Sequence, residues 1–123
     1  MSTGPLLTIW HSRTGTSEQL AQAAHQAAGA DSRLLRAEEV EPEDLLAAGG
    51  YLFCCPENLA SMSGEMKEMF DRNYYTLLGQ IEGRAFATIV AAGSDGEGAQ
   101  RQIDRIAQGW RLKRVALLAA LYF

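Results

Sequence analysis

The chain has 123 residues, enough for one domain with a hydrophobic core and too few for a second. Apolar residues make up 47% of the sequence and charged residues 21%, which is typical of a globular protein. The net charge of −4 argues against a basic nucleic-acid-binding surface and is too small for a disordered acidic chain. Residues 1–5 lack the features of a secretory signal, and the apolar run 115–123 is too short to span a membrane. We expect a single cytoplasmic domain, residues 1–123, with no nucleic-acid or membrane partner.

The first predicted unit is a strand at Leu6–Trp10, a polar loop at 12–17 and a helix at Thr16–Ala28 that Gly29 closes. The loop places several hydroxyls and backbone N–H groups at the positive end of the helix dipole. This pattern favours a phosphate-binding loop. The alternative is an ordinary capping box at Thr16–Gln19, which needs no ligand. The expected buried face of the helix is Leu20, Ala24, Ala27 and Ala28.

The next three elements are shorter. Polar residues in the second strand, Arg33–Arg36, indicate a place near the sheet edge, and a short helix is predicted from Pro42 to the Gly49-Gly50 pair. The apolar run Tyr51–Cys55 predicts a strand buried on both faces of a parallel sheet. Its last two residues are adjacent cysteines that match no metal-ligand spacing, so we expect two buried reduced thiols.

The second half of the chain continues the alternation. A loop at Pro56–Met62 leads to Ser63 as the N-cap of a helix, and a strand is predicted at Ala85–Ala92. A last loop, Gly93–Gly98, opens the final helix. The apolar positions expected on one face of these two helices are Met66, Met69, Phe70, Tyr74, Leu77 and Leu78, and then Ala99, Ile103, Ile106, Ala107 and Trp110.

Strands joined by helices predict a parallel sheet covered on both faces, with ligands bound beyond the carboxyl ends of its strands. The loops 12–17, 56–62 and 93–98 all lie at that edge. Several functions of such a sheet are excluded: there is no acidic cluster for a phosphorelay receiver, no cysteine in the first loop for a low-molecular-weight phosphatase, and no Walker lysine. The spacing of the glycines in the third loop does not match the dinucleotide fingerprint.

The three loops together resemble a known family. The first, Ser12-x-Thr14-Gly15-Thr16, resembles the phosphate loop of flavodoxins and flavodoxin-like reductases. The run Pro56–Lys67 with Phe70-Asp71-Arg72 resembles the second flavin loop and following helix of the NAD(P)H-dependent FMN reductase and WrbA-like branch, and Gly93–Gly98 its third loop. The resemblance covers about residues 6–115 and implies a flavodoxin-like doubly wound sheet of order 2-1-3-4-5 in three α/β/α layers.

The resemblance also implies the cofactor FMN, with NAD(P)H as a possible electron donor. The FMN phosphate is expected in the first loop, and the isoalloxazine ring is expected along the second loop with its flank near the third. Carried over position by position, the cofactor-binding residues are Ser12, Arg13, Thr14, Gly15, Thr16 and Ser17, then Pro56, Glu57, Asn58, Leu59 and Ala60, and then Gly93, Ser94, Asp95 and Gly96.

The chain departs from the family in ways that bear on function. Arg13 adds a cation to the phosphate loop, and neither flavin loop contains an aromatic residue to stack on the ring. An unsheltered ring favours an NAD(P)H-dependent reductase of quinones, flavins or similar small acceptors. The alternatives are a non-enzymatic electron-transfer module or a flavin-free partner-binding subunit. His11, beside the proposed site, is interpreted as a satisfied polar residue at a strand end, with general acid chemistry as the alternative.

The C-terminal segment departs most from the family pattern. Residues 117–123 are either a fifth strand with no covering helix or the remnant of a last helix. Either way, apolar surface is left to cover, so we expect a homodimer or larger assembly. The residues that motivate this expectation are Leu117, Leu118, Leu121, Tyr122 and Phe123.

Overall fold

A computed structural model of the protein describes the backbone of residues 4–121 and the side chains of residues 4–115. Strands and helices alternate along the chain, as the sequence predicts. Their bounds are β1 Leu6–Trp10, α1 Thr16–Ala28, β2 Ser32–Arg36, α2 Pro42–Ala47, β3 Gly50–Asn58, β4 Ser61–Met62, α3 Gly64–Leu77, β5 Ala85–Ala92, α4 Glu97–Gly109 and β6 Lys113–Leu121.

The sheet has the order β2-β1-β3-β5-β6, and all pairs on this path are parallel. The short β4 pairs antiparallel with the end of β3. The predicted order 2-1-3-4-5 and the edge position of the second strand are therefore confirmed, with β4 as an additional strand. Trp10 pairs with Cys54, and Pro56 with Ala91, so the carboxyl ends of β1, β3 and β5 lie together at one edge.

The C-terminal segment is a strand. β6 pairs with β5 along its length, with a register shift at Val115, and so the backbone to residue 121 is a fifth parallel strand and not a helix remnant. Tyr122 and Phe123 lie outside the described residues. None of the helices formed by the described residues has both the length and the apolar character needed to cross a membrane.

The main core lies between the sheet and helices α3 and α4. Phe53 of β3 packs against Phe70 of α3 with ring centroids 4.9 Å apart. The rings of Phe70 and Trp110 are T-shaped to each other, with centroids 5.2 Å apart. Most of the predicted apolar positions on these helices are buried, whereas Leu78 follows the end of α3 and is exposed.

The other face of the sheet is covered by α1, whose buried residues differ from those predicted. Ser17 and Ala21 are buried against the sheet, while Ala27 and Ala28 are exposed. Alanine occupies several sides of this helix, so the apolar pattern does not select one face. Beyond α1, side chains of β5 on this face remain partly exposed beside a groove of about 250 Å³ lined by Leu6, Gly50, Tyr51, Leu52, Ala85, Phe86, Ala87 and Val115.

Candidate functional site

The loop after β1 presents donors at the start of α1. Gly15 is the N-cap, with φ of 105°, and its N–H donates to Ser12 Oγ at 2.9 Å. The first intrahelical bond runs from Gln19 N–H to the Gly15 carbonyl at 3.0 Å, so the N–H groups of the preceding turn have no partner within the helix. No side chain caps this helix, and therefore the capping box considered at Thr16–Gln19 does not form.

One hydroxyl of this loop lacks a partner. Ser17 Oγ is buried and has no hydrogen-bond partner in the described structure, although buried hydroxyls normally have one. Thr14 and Arg13 are exposed, and Arg13 makes no ion pair with another described residue. Unpaired N–H groups, a buried free hydroxyl and a nearby cation form an arrangement that fits a phosphate group.

The second predicted loop is instead a β-hairpin, residues 57–62. β3 continues through Asn58, the chain turns at Leu59 and Ala60, and β4 returns along β3. Both turn residues have positive φ, 51° and 66°, as in a type I′ turn. Such turns favour Asn-Gly, and a left-handed conformation costs about 1–2 kcal/mol for each residue with a Cβ. The sequence Leu-Ala carries no hairpin signal, which explains why the hairpin was not predicted.

Helix α4 holds the hairpin on both sides of its turn. Ala99 N–H donates to Glu57 Oε2 at 3.1 Å, and on the returning strand Met62 N–H donates to Gln102 Oε1 at 2.8 Å. Ser61 Oγ donates to the same amide oxygen at 3.1 Å. Gly98 also lies directly against the Ala60 carbonyl. The Glu57 carboxylate is thus directed to the N-terminus of α4, where the helix dipole favours a negative charge.

The third predicted loop, residues 93–98, follows β5 at the same carboxyl edge of the sheet. Gly93, Ser94 and Asp95 are exposed, and Asp95 Oδ1 accepts a hydrogen bond from Glu97 N–H at 2.9 Å, which begins α4. Gly96 is buried with φ of 72°, a conformation that glycine adopts without strain. The predicted loop ended at residue 98, whereas the helix has already begun at Glu97.

His11 lies between the first loop and α3. Its backbone N–H donates to the Cys54 carbonyl at 3.0 Å, and its Nε2 is 3.4 Å from Oε2 of Glu65, in the first turn of α3. Nδ1 is buried without a partner among the described residues. Only one ring nitrogen of this histidine is therefore paired. The sequence did not identify Glu65 as the partner of His11 or Gln102 as the amide that binds the hairpin, because both contacts join residues far apart in the chain.

The two cysteines lie beneath the site and are free, as expected. Cys54 Sγ donates to the Ser17 carbonyl at 3.3 Å. Burial, and secondarily the neighbouring Cys55, raises the pKa of Cys54 to about 12. Burial likewise raises the pKa of Cys55 to about 12, against a hydrogen bond with the Ser63 backbone. Thiols of such high pKa are not thiolate nucleophiles near neutral pH, so any redox chemistry here requires another group.

No three His, Cys, Asp or Glu side chains among the described residues come together to hold a metal ion. A cavity of about 370 Å³ lies behind the hairpin, between α3 and α4, and is lined by Ser61 and Met62 of the predicted second loop but by none of the residues carried over as cofactor contacts. The predicted residues instead gather at the carboxyl edge of the sheet, on the first loop, the hairpin and the third loop. The arrangement suits a ligand with a phosphate at one end and a planar group along the hairpin.

Known proteins share this architecture. The family model for NADPH-dependent FMN reductase matches residues 37–122. A curated relative, a flavodoxin of Aquifex aeolicus (strain VF5), is 31% identical over 99 residues, which is 77% of this chain and 54% of the relative. This chain thus spans about half the length of the curated relative that it matches.

Solved structures agree with this fold. The two-electron reduced flavodoxin of Megasphaera elsdenii superposes with a TM-score of 0.78 at 20% identity, over 94% of this chain and 85% of that one. A protein from P. pentosaceus identified as an NADPH-quinone reductase superposes with a TM-score of 0.74 at 16% identity, over 97% of this chain and 85% of that one.

The sheet order and the three edge loops define a flavodoxin-like α/β protein. Within that class, the chain belongs to the NADPH-dependent FMN reductase family. The resemblance inferred from its loops is confirmed.

Proposed function

We propose that the chain binds FMN, with the phosphate in the loop 12–17 and the ring along the hairpin. The observation that carries this proposal is the start of α1, where a left-handed Gly15 is followed by N–H groups without a helical partner and by the buried, unpartnered hydroxyl of Ser17. Ser12, Thr14 and Thr16 supply further hydroxyls, and Arg13 a cation. A helix N-terminus with hydroxyls suits the terminal phosphate monoester of FMN better than the internal diphosphate of FAD.

We further propose that the protein is an NAD(P)H-dependent reductase of quinones, flavins or similar small acceptors. Bound FMN would supply two-electron chemistry, by which a hydride from NAD(P)H and a proton from solvent convert a quinone to its hydroquinone. Membership of the reductase family supports this proposal, and so does the lack of an aromatic side chain in residues 56–62 and 93–98. An uncovered ring leaves space for a hydride donor or an acceptor.

A one-electron carrier is the second candidate, favoured by the likeness to the Aquifex aeolicus flavodoxin. Steady-state oxidation of NADPH distinguishes the two. Turnover with a quinone and the FMN-loaded protein alone supports the reductase. A protein that binds FMN but oxidises neither NADPH nor NADH supports the carrier.

The cofactor proposal is tested by the double variant Thr14→Ala/Thr16→Ala. Two lost hydrogen bonds to a charged phosphate, each worth about 1.5–3 kcal/mol, weaken FMN binding at least tenfold. Riboflavin, which lacks the phosphate, is expected to bind both proteins equally. Quenching of flavin fluorescence measures both affinities, and Thr76→Ala, at an exposed threonine of α3, is the control. Equal losses for FMN and riboflavin, or free flavin that stays unquenched by the wild type, contradict the proposal.

We also propose that the protein forms a homo-oligomer in the cytoplasm. β6 is an edge strand of nine residues, and the adjoining sheet face, with Ala85, Ala87 and Ile89, is partly exposed. An uncovered edge is a template for a strand of a second copy. Two free buried thiols agree with a reducing compartment. Light scattering at micromolar concentration tests the assembly, since a single mass near 13.4 kDa contradicts it.

A further inference from the structure

We propose that the groove between α3 and α4 is a second ligand-binding site, separate from the edge where FMN is proposed, and that its ligand is a small apolar monocarboxylate. The inference goes beyond the proposed function and does not depend on it, because no residue that lines the groove is assigned to the cofactor. It is carried by the shape of the groove, its apolar lining and a cation without a partner at its rim.

The groove is longer than a gap in the packing. Its first part, about 370 Å³, is bounded by the two residues of β4, which immediately precede α3. Its second part, about 230 Å³, continues between the two helices as far as Tyr74 and Trp110. Lys67 and Ile106 line both parts, so the two are continuous. Ligand pockets are commonly about 300–1,000 Å³, and the groove is large enough for a small elongated molecule.

The lining of the groove is mainly apolar in both parts. Met62 lies in the first part, the half-buried Ile106 in the middle, and Phe70 and Trp110 in the second part. An apolar chain laid along these side chains would be removed from water together with the surface that it covers, which favours binding. The lining therefore predicts an apolar body for the ligand.

Two cations lie at the rim of the groove, and they differ in their partners. Lys67 Nζ donates to both carboxylate oxygens of Asp71, at 2.8 and 2.9 Å, so its charge is compensated within α3. Arg105 is exposed and makes no hydrogen bond or ion pair with another described residue. The neighbouring Asp104 pairs instead with Arg114. The groove thus keeps one uncompensated positive charge beside an apolar surface, and the complementary ligand carries one negative charge.

A carboxylate fits the donors that surround this charge. The planar guanidinium of Arg105 matches a carboxylate with two parallel hydrogen bonds. Gln102 lies one turn earlier on the same side of α4, and its Oε1 accepts from Met62 N–H at 2.8 Å. The Nε2 of that amide has no partner among the described residues and is a further donor to an acceptor-only group. Asp71 lines the second part, so the carboxylate belongs at Arg105 and the apolar chain extends toward Trp110.

Titration with octanoate, followed by ¹H–¹⁵N NMR of the protein with and without FMN, tests the site. We expect saturable shifts of the Gln102 side-chain amide and of the Met62 and Ile106 backbone N–H groups. Octan-1-ol has the same chain without the charge, and acetate has the charge without the chain. Both are expected to bind at least tenfold more weakly than octanoate. Equal affinities for octanoate and octan-1-ol overturn the assignment of a carboxylate.

The variant Arg105→Gln tests the role of the free cation at an exposed position. We expect it to weaken octanoate binding at least fivefold, and to leave the affinities for octan-1-ol and FMN within twofold of the wild type. The matched control is Arg101→Gln, at an exposed arginine of the same helix that pairs with Glu97 and does not line the groove. Equal octanoate affinity of the two variants contradicts the inference.

Two further results would place octanoate elsewhere. An octanoate affinity that falls tenfold when FMN is bound assigns octanoate to the cofactor edge and overturns the inference, whereas affinities within twofold support a separate site. A lower oligomeric mass in saturating octanoate, measured by light scattering, assigns the groove to an interface between copies and also overturns it. Failure of the wild type to bind FMN refutes the proposed function, while the octanoate titration of the unloaded protein still decides this inference.

Discussion

Gly98 is the residue whose replacement tests most directly whether α4 supports the hairpin. A Cβ at this position would lie 2.1 Å from the Ala60 carbonyl oxygen, whereas real Cβ atoms essentially never approach closer than 3.0 Å. The obstructing atoms are backbone, so Gly98→Ala must move the hairpin from the helix by about 1 Å. Overpacking of this kind costs about 1–3 kcal/mol.

The displacement also removes a hydrogen bond. Separation of the hairpin from α4 lengthens the Ala99 N–H to Glu57 contact, and a bond to a charged group contributes about 1.5–3 kcal/mol. Replacing glycine by alanine in a helix returns up to about 1 kcal/mol. Together these effects predict that Gly98→Ala lowers the free energy of unfolding by about 2–4 kcal/mol.

Gly109→Ala is a matched control, because Gly109 ends the same helix and a Cβ there meets no atom within 4 Å. We expect this control to be neutral or more stable by about 0.5 kcal/mol. Urea unfolding measures both variants, and with a slope of about 1.5 kcal/mol/M their midpoints should differ by about 1.5–3 M. A Gly98→Ala midpoint equal to or above that of Gly109→Ala would refute the proposed support of the hairpin by α4.

Two further predictions concern the core. Arg84 Nη1 donates to the Leu46 and Ala48 carbonyls, both at 2.8 Å, so Arg84→Ala should lower the free energy of unfolding by about 2–3 kcal/mol. The control Arg101→Ala, at an exposed arginine, should change this free energy by less than about 0.5 kcal/mol, and equal urea midpoints for the two variants would contradict the prediction. The pKa of the Cys54 thiol and that of the Cys55 thiol are raised from 9.0 to about 12 in the folded protein, so the unfolded chain loses these protons at lower pH. The contribution of the two protonated thiols to the stability of the fold is therefore complete below pH 9 and is lost as the pH rises toward 12. Between pH 8 and 10 the wild type should lose about 3 kcal/mol more than the Cys54→Ala/Cys55→Ala variant in urea unfolding, and parallel pH profiles would contradict the assignment.

Elements determined by local patterns could be predicted closely from the sequence. The bounds of β1, α1 and β5 agree with the apolar runs and the glycines that follow them, and the first loop is recognisable because four of its six residues carry hydroxyls. The buried face of α1 was predicted only in part, since Leu20 and Ala24 are partly buried but Ala27 and Ala28 are exposed, because alanine does not distinguish core from surface. Contacts such as that of Met62 with Gln102, 40 residues apart, have no local pattern and could not be predicted.

The hairpin was not predicted, and both of its turn residues have positive φ. A loop was the reasonable expectation, because Leu-Ala opposes the left-handed turn that joins β3 to β4. The turn persists because Glu57, Gly98 and Gln102 hold it to α4, so its conformation is imposed from outside the segment. Disagreement between local preference and tertiary structure is expected mainly at functional sites. The failure of the local prediction therefore agrees with the proposed placement of the cofactor ring along this hairpin.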